Sequence, residues 1–342
     1  MKLLISPSVI YFGIPMGLLG TAMNGLHLQQ MFGFEESELI RQLLQGFIGY
    51  GWLVFLWVSV VFVSGLFTKH KLHLQNEWLN HFQISLFPSI TLTAMLVVVT
   101  LVETGSLSPL FKFVLLSFYL LVLVAHSFLN IYLINRWIFA ESVPIEHHKP
   151  TWFILLSGNF VLVISGLYLM APFGLIDYAF WTELLWFYFS GGLLLWFSFT
   201  VSLFYRLIFS SKIEIALRPS LFIFLAPPSL ATVASILLLE PSLVNAPKEL
   251  VTVPALTWLL FSFASFMLIL WTLSFKYFID SGLTIAAWAY VYPVAAYGMA
   301  MQYIAQANNN LLLTSLSLGI FLVIGFLILL LTVRSLLDAI KS

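Results

Sequence analysis

The chain has 342 residues, of which 61% are apolar and 8% charged, and its 14 basic and 14 acidic side chains cancel to a formal charge of zero. No soluble domain of this size could keep so much apolar surface dispersed in water, so the solvent is a bilayer, and a neutral chain offers no electrostatic footprint for nucleic acid. The absence of cysteine excludes disulfides, thiolate chemistry and Cys-based zinc or iron–sulfur sites.

A spanning helix needs roughly 20 apolar residues, which leaves room for about ten spans and no separate extramembrane domain, so residues 1–342 are read as a single transmembrane unit. The opening stretch carries Lys2, is interrupted by Pro7 and has no clean small-residue cleavage site, so the first span is expected to stay uncleaved. Apolar stretches bounded by charge, Pro, Gly or Asn predict helices near 9–30, 42–67, 83–103, 109–134 and 152–172. Five more are predicted near 180–209, 220–240, 251–277, 282–305 and 311–336.

An even number of spans puts both termini on one side. Eleven basic residues fall there: Lys2, Lys69, Lys71, Arg136, Lys149, Arg206, Lys212, Arg218, Lys276, Arg334 and Lys341. Only three, Arg41, Lys112 and Lys248, fall on the other. Basic loops are retained in the cytoplasm during insertion, so the split predicts cytoplasmic termini and supports the count of ten.

The ten predicted helices alternate in character. Prolines lie well inside the odd-numbered spans, at Pro15, Pro88, Pro227 with Pro228, and Pro293, and the fifth span has Asn159 at comparable depth. The intervals are 73, 71, 68 and 66 residues, which reads as a fivefold repeat of a helical hairpin. The odd helices also carry small and hydroxylic residues at helical spacing, such as Gly13, Gly17, Gly20 and Asn24 or Ser85, Ser89 and Thr93, whereas the even ones are bulky, as in Trp181, Trp186, Phe187 and Trp196. An internal proline frees a carbonyl that hydrocarbon penalises and protein or a watery cavity satisfies. The expected fold is therefore all-α, with an inner ring of kinked odd helices around a pore and a lipid-facing jacket of even ones.

Ionisable residues keep to the helix ends: Glu103, Lys112, Glu183, Glu240 and Lys276. A charge at the bilayer centre costs about 2.5 to 3.5 kcal/mol or more and is kept only for a purpose. No proton relay is evident, and a neutral pore suits passive selective flow. His27 and His126 are read as interhelical hydrogen-bonding groups. The loop histidines His70, His73, His81, His147 and His148 match no tight metal-ligand spacing, and no phosphate loop, nucleophile elbow or paired-His helix is present. Neither a cofactor nor an enzymatic activity is expected.

The run Tyr11-Phe12-Gly13-Ile14-Pro15-Met16-Gly17-Leu18, then Phe87-Pro88-Ser89-Ile90-Thr91, Gly158-Asn159-Phe160, Leu225-Ala226-Pro227, Gly282-Leu283-Thr284-Ile285 and Trp288-Ala289-Tyr290 resemble, in order and over essentially the whole chain, the TehA-type tellurite-resistance proteins. These group with the plant slow-type anion channels and the fungal malate permeases in the tellurite-resistance/dicarboxylate transporter family. The resemblance implies a homotrimer in a plasma membrane of the bacterial inner-membrane kind, each subunit with its own anion pathway. It also implies a plug of that pathway by an aromatic side chain of the ninth helix. The family usually places Phe there; the matching residue is Tyr292, followed by Pro293. Its ring keeps the plug and its hydroxyl adds a hydrogen-bond donor. Tyr292 is thus the expected gate, with Pro15, Met16, Pro88, Thr91, Asn159, Pro227, Leu230 and Pro293 expected in the pore wall. The expected function is a channel for small anions favouring those that shed water easily. The alternative is a secondary carrier of dicarboxylate, sulfite or tellurite oxyanions.

Overall fold

The computed structural model describes residues 7–34, 37–105, 108–140, 144–175, 178–244 and 252–341. Lys2, Lys248 and the side chain of Lys341, all used in the charge argument, lie outside the described residues. The described residues form helices without strands. They comprise α1 (Gly13–Met31), α2 (Glu38–Leu66), α3 (Lys71–Leu79), α4 (Pro88–Thr104), α5 (Pro109–Phe139) and α6 (Phe153–Met170). There follow α7 (Ala179–Phe209), α8 (Ala226–Leu239), α9 (Ala255–Leu273), α10 (Phe275–Ile279), α11 (Val291–Ala307) and α12 (Leu311–Lys341).

Five of these helices share a device. Each of α1, α4, α6, α8 and α11 is preceded by a tighter 3-10 segment: Val9–Phe12, Gln83–Leu86, Pro150–Trp152, Ile215–Leu225 and Ile285–Tyr290. The prolines sit just past these junctions, with Pro15 third in α1, Pro88 first in α4, Pro227 second in α8 and Pro293 third in α11. In a first turn proline sacrifices no intrahelical hydrogen bond and its fixed φ suits the helix, so these residues mark where the α-helix restarts. Hydroxyls donate to carbonyls at and just past the restarts: Ser89 to Leu86 O at 2.6 Å, Ser229 to Leu225 O at 2.8 Å and Thr232 to Pro228 O at 2.8 Å. Such back-bonding removes the penalty of an exposed carbonyl in hydrocarbon.

The same five helices are mutual neighbours. α1 packs on α4, α4 on α6, α6 on α8, α8 on α11, and α11 returns to α1, so the series closes on itself. Against its back, α2 packs on α1, α5 on α4, α7 on α6, α9 on α8 and α12 on α11. Burial follows this division. In the spans containing α1, α4, α6 and α8, between 72 and 100% of the most apolar stretch is buried, against 22 to 28% in those of α2, α5, α7, α9 and α12. Small residues let the inner helices approach closely, while the bulky side chains of the outer ones face outward.

Two features depart from the predicted elements. The connection after α2 contains α3, whose buried Glu77 accepts from the backbone N–H of Val9 at 3.0 Å and from the Ser8 hydroxyl, tying down the start of the first inner segment. Among the described residues, nine helices are long and apolar enough to cross a membrane, and α11 is not one of them. Its tyrosines, Gln302 and Gly298 lower its hydropathy, but nearly all of it is buried by protein, and a helix shielded from lipid does not need a lipid-compatible surface.

Candidate functional site

Two cavities lie along the axis of the inner ring. The space open to a water-sized molecule is about 80 Å³ in the first and about 20 Å³ in the second. The lining residues step by three, four and three along four of the inner segments and by three and four along that of α8. Gly13 and Met16 of α1 face the first cavity, and Gly20 and Met23 the second. On α4 the pairs are Ser89 with Leu92 and Leu96 with Val99; on α6 they are Ile154 with Ser157 and Val161 with Ile164. Ile223 and Ala226 line the first cavity and Leu230 of α8 the second, while Ala289 and Tyr292 are followed by Ala296 and Met299 on α11. In all five the lower number faces the first cavity, so the five helices run parallel and point their positive N-terminal ends toward it.

Tyr292 is the residue common to both linings. Its side chain is buried and its hydroxyl has no hydrogen-bond partner. The ring rests against Gly20, where an added Cβ would meet ring atoms Cδ2 and Cε2 at 2.6 and 3.0 Å. Glycine at this position is what admits an aromatic ring to the axis. The Ser157 hydroxyl, also buried and without a partner, faces the first cavity. Neither lining includes a charged side chain, and beyond Tyr292 the second cavity is walled by aliphatic and methionine side chains. A constriction of this kind excludes ions by the cost of removing their water, and the aligned helix ends bias what remains toward anions.

Of the residues expected in the wall, Met16, Leu230 and Pro293 line these cavities together with Tyr292. Pro15, Pro88, Thr91, Asn159 and Pro227 line neither. The Thr91 hydroxyl is 2.9 Å from Nδ1 of His126 on α5, and Asn159 exchanges hydrogen bonds of 3.0 and 3.1 Å with Asn130 of the same helix. Thr91 therefore binds α4 to its outer partner α5, and Asn159 binds α6 to that same outer helix. His126 occupies a space that only glycine leaves open, since a Cβ on Gly158 would fall 2.2 Å from its Cε1. Sequence reasoning passed over Leu92, Leu96, Ser157 and Val161; the three-four-three step shared by four of the inner helices is the signal that finds them.

No group of three or more His, Cys, Asp or Glu residues that could hold a metal occurs among the described residues. Comparison with curated proteins gives no match. A family model described as voltage-dependent anion channel, SLAC1, matches residues 7–336. The five parallel helices, the uncharged cavities between them and this match over nearly the whole chain lead to one assignment: the chain belongs to the SLAC1 family of voltage-dependent anion channels.

Proposed function

We propose that the protein is an anion channel whose ten spans form five hairpins in quasi-fivefold arrangement, with the permeation path along the inner ring and Tyr292 as its gate. The observation that carries this reading is the position of Tyr292 between the two cavities, as the side chain bordering both. With the ring in place the two spaces are separate; with it displaced they join. The uncharged lining selects by dehydration cost, so weakly hydrated monovalent anions pass most readily. Following the family and the charge asymmetry, we place the protein in the plasma membrane, of the bacterial inner-membrane kind, as a homotrimer with one pore per subunit and both termini in the cytoplasm.

The test is anion efflux from proteoliposomes. Replacing Tyr292 with Ala should raise it by about tenfold or more; unchanged efflux from correctly folded protein would sink the gate. A second reading, a carrier for dicarboxylate, sulfite or tellurite oxyanions, draws on the titratable His27 and Glu103 beyond the second cavity. Uphill anion accumulation driven by an imposed pH gradient would decide for the carrier.

A further inference from the structure

The lining pattern does not stop at the second cavity. Four residues beyond Met23, Val99, Ile164 and Met299, the same stripes carry His27, Glu103, Tyr168 and Tyr303. At this level the interior changes from aliphatic to polar and titratable. The Tyr168 and Tyr303 hydroxyls are hydrogen-bonded at 3.0 Å, and the imidazole of His27 stacks on the Tyr303 ring with centroids 4.3 Å apart. Both tyrosines and His27 are buried.

Tyr168 belongs to α6 and Tyr303 to α11, which are not adjacent in the ring: α8 separates them on one side and α1 with α4 on the other. A hydrogen bond between them has to cross the lumen. Glu103 of α4 stands at the same level, one turn beyond Val99, and its carboxylate accepts from Gln30 of α1 at 3.2 Å. The cleft behind it is lined by Glu103, Gln30 and Arg41 of α2. Gln30 of α1 is thus bonded to Glu103, Arg41 of α2 shares its cleft, and His27 of α1 stacks on Tyr303 of the bar.

Resting on the reading of the inner ring as the permeation path, we propose that the path has a second closure at its outer end, barred by Tyr168 and Tyr303, with Glu103 determining which ions pass it by charge. The second cavity is then a chamber between two closures. An ion leaving it meets a hydroxyl pair that has to part, and an anion also meets the Glu103 carboxylate.

Because the chain has no cysteine, one introduced thiol reports on the chamber without background. Val99→Cys places it in the wall of the second cavity, to be treated with small anionic and cationic methanethiosulfonates from each face of sealed right-side-out and inverted vesicles. With both closures intact the thiol stays unmodified from either face. Adding Tyr303→Ala, with Tyr292 unchanged, should speed modification from the outer face by about tenfold or more. Adding Glu103→Gln to that protein should raise the anionic reagent's rate relative to the cationic one by about tenfold. Tyr303→Phe and Tyr168→Phe keep the rings and lose the hydrogen bond, so they give smaller increases and serve if the Ala variant fails to fold. Outer-face modification that is equally fast with and without the tyrosine changes overturns the closure, and an unchanged reagent ratio overturns the role of Glu103. Modification from the opposite face in a Tyr292→Ala background reads the inner gate alone, so either gate can fail without the other.

Discussion

A methyl group at residue 20 tests the gate without touching it. A Cβ on Gly20 would stand 2.6 Å from Cδ2 of Tyr292. Ordinary carbon contacts are about 3.5 to 4.0 Å, so in Gly20→Ala the ring has to retreat by roughly 1 Å. Overpacking of this kind costs about 1 to 3 kcal/mol. The cost falls on the plugged arrangement and vanishes once the ring swings away from residue 20. While the open state is minor, its population should therefore rise roughly 5- to 150-fold. The assay is nitrate efflux from proteoliposomes containing wild type, Gly20→Ala, Tyr292→Ala and the double variant. Gly20→Ala alone should increase efflux, and in the Tyr292→Ala background it should add nothing, because no ring remains to be pushed. Unchanged efflux from folded Gly20→Ala protein, or a gain of equal size without the ring, would refute the reasoning.

Tyr292→Phe should keep the path closed and raise thermal stability by about 1 kcal/mol, since it removes a buried hydroxyl that has no partner; a lower melting temperature in detergent would show that the hydroxyl is bonded. In bilayers of mixed anions, reversal potentials should rank nitrate and iodide above chloride, and a strong chloride preference would contradict selection by dehydration. His148, just ahead of the third inner segment, is buried between the Ser202 hydroxyl at 2.8 Å and Phe199 O at 3.2 Å. Loss of water around it lowers its pKa from 6.5 to about 4. The folded protein thus holds this imidazole neutral while the unfolded chain protonates it. Its contribution is present above pH 6.5 and is lost as pH falls from 6.5 to about 4, by roughly 3 kcal/mol. Melting curves of His148→Gln should accordingly fall less steeply over that range than those of wild type, and parallel curves would exclude the effect.

The alternation of inner and outer helices was legible in the sequence because it is written in bulk and in proline spacing. The meaning of the prolines was not, since a proline in a helix interior and one in the first turn after a 3-10 segment look alike in sequence. The choice of Thr91 and Asn159 shows what that ambiguity did to the wall. Thr91 is one residue before Leu92, about 100° around the helix, and Asn159 is two residues past Ser157, so both leave the axis and reach α5. Asn159 was aligned with the prolines by depth, whereas α6 begins at Phe153, after Pro150. Tyr292 was singled out as an expected gate through family resemblance alone, and its seat on Gly20 depends on a long-range approach between α1 and α11 that no local pattern records. The short α3 was hidden among polar loop residues, where burial of Glu77 could not be anticipated.

The modest hydropathy of α11 bears on how the chain enters the membrane. A segment holding three tyrosines and two glutamines has little tendency to leave the translocon for lipid by itself. Its successor α12 belongs to the most apolar of the nine lipid-compatible spans and packs along it. The two then insert as a pair, with α12 supplying the partition energy that α11 lacks. On the proposed reading of Tyr292, the pore would acquire its plug only once α12 has been made.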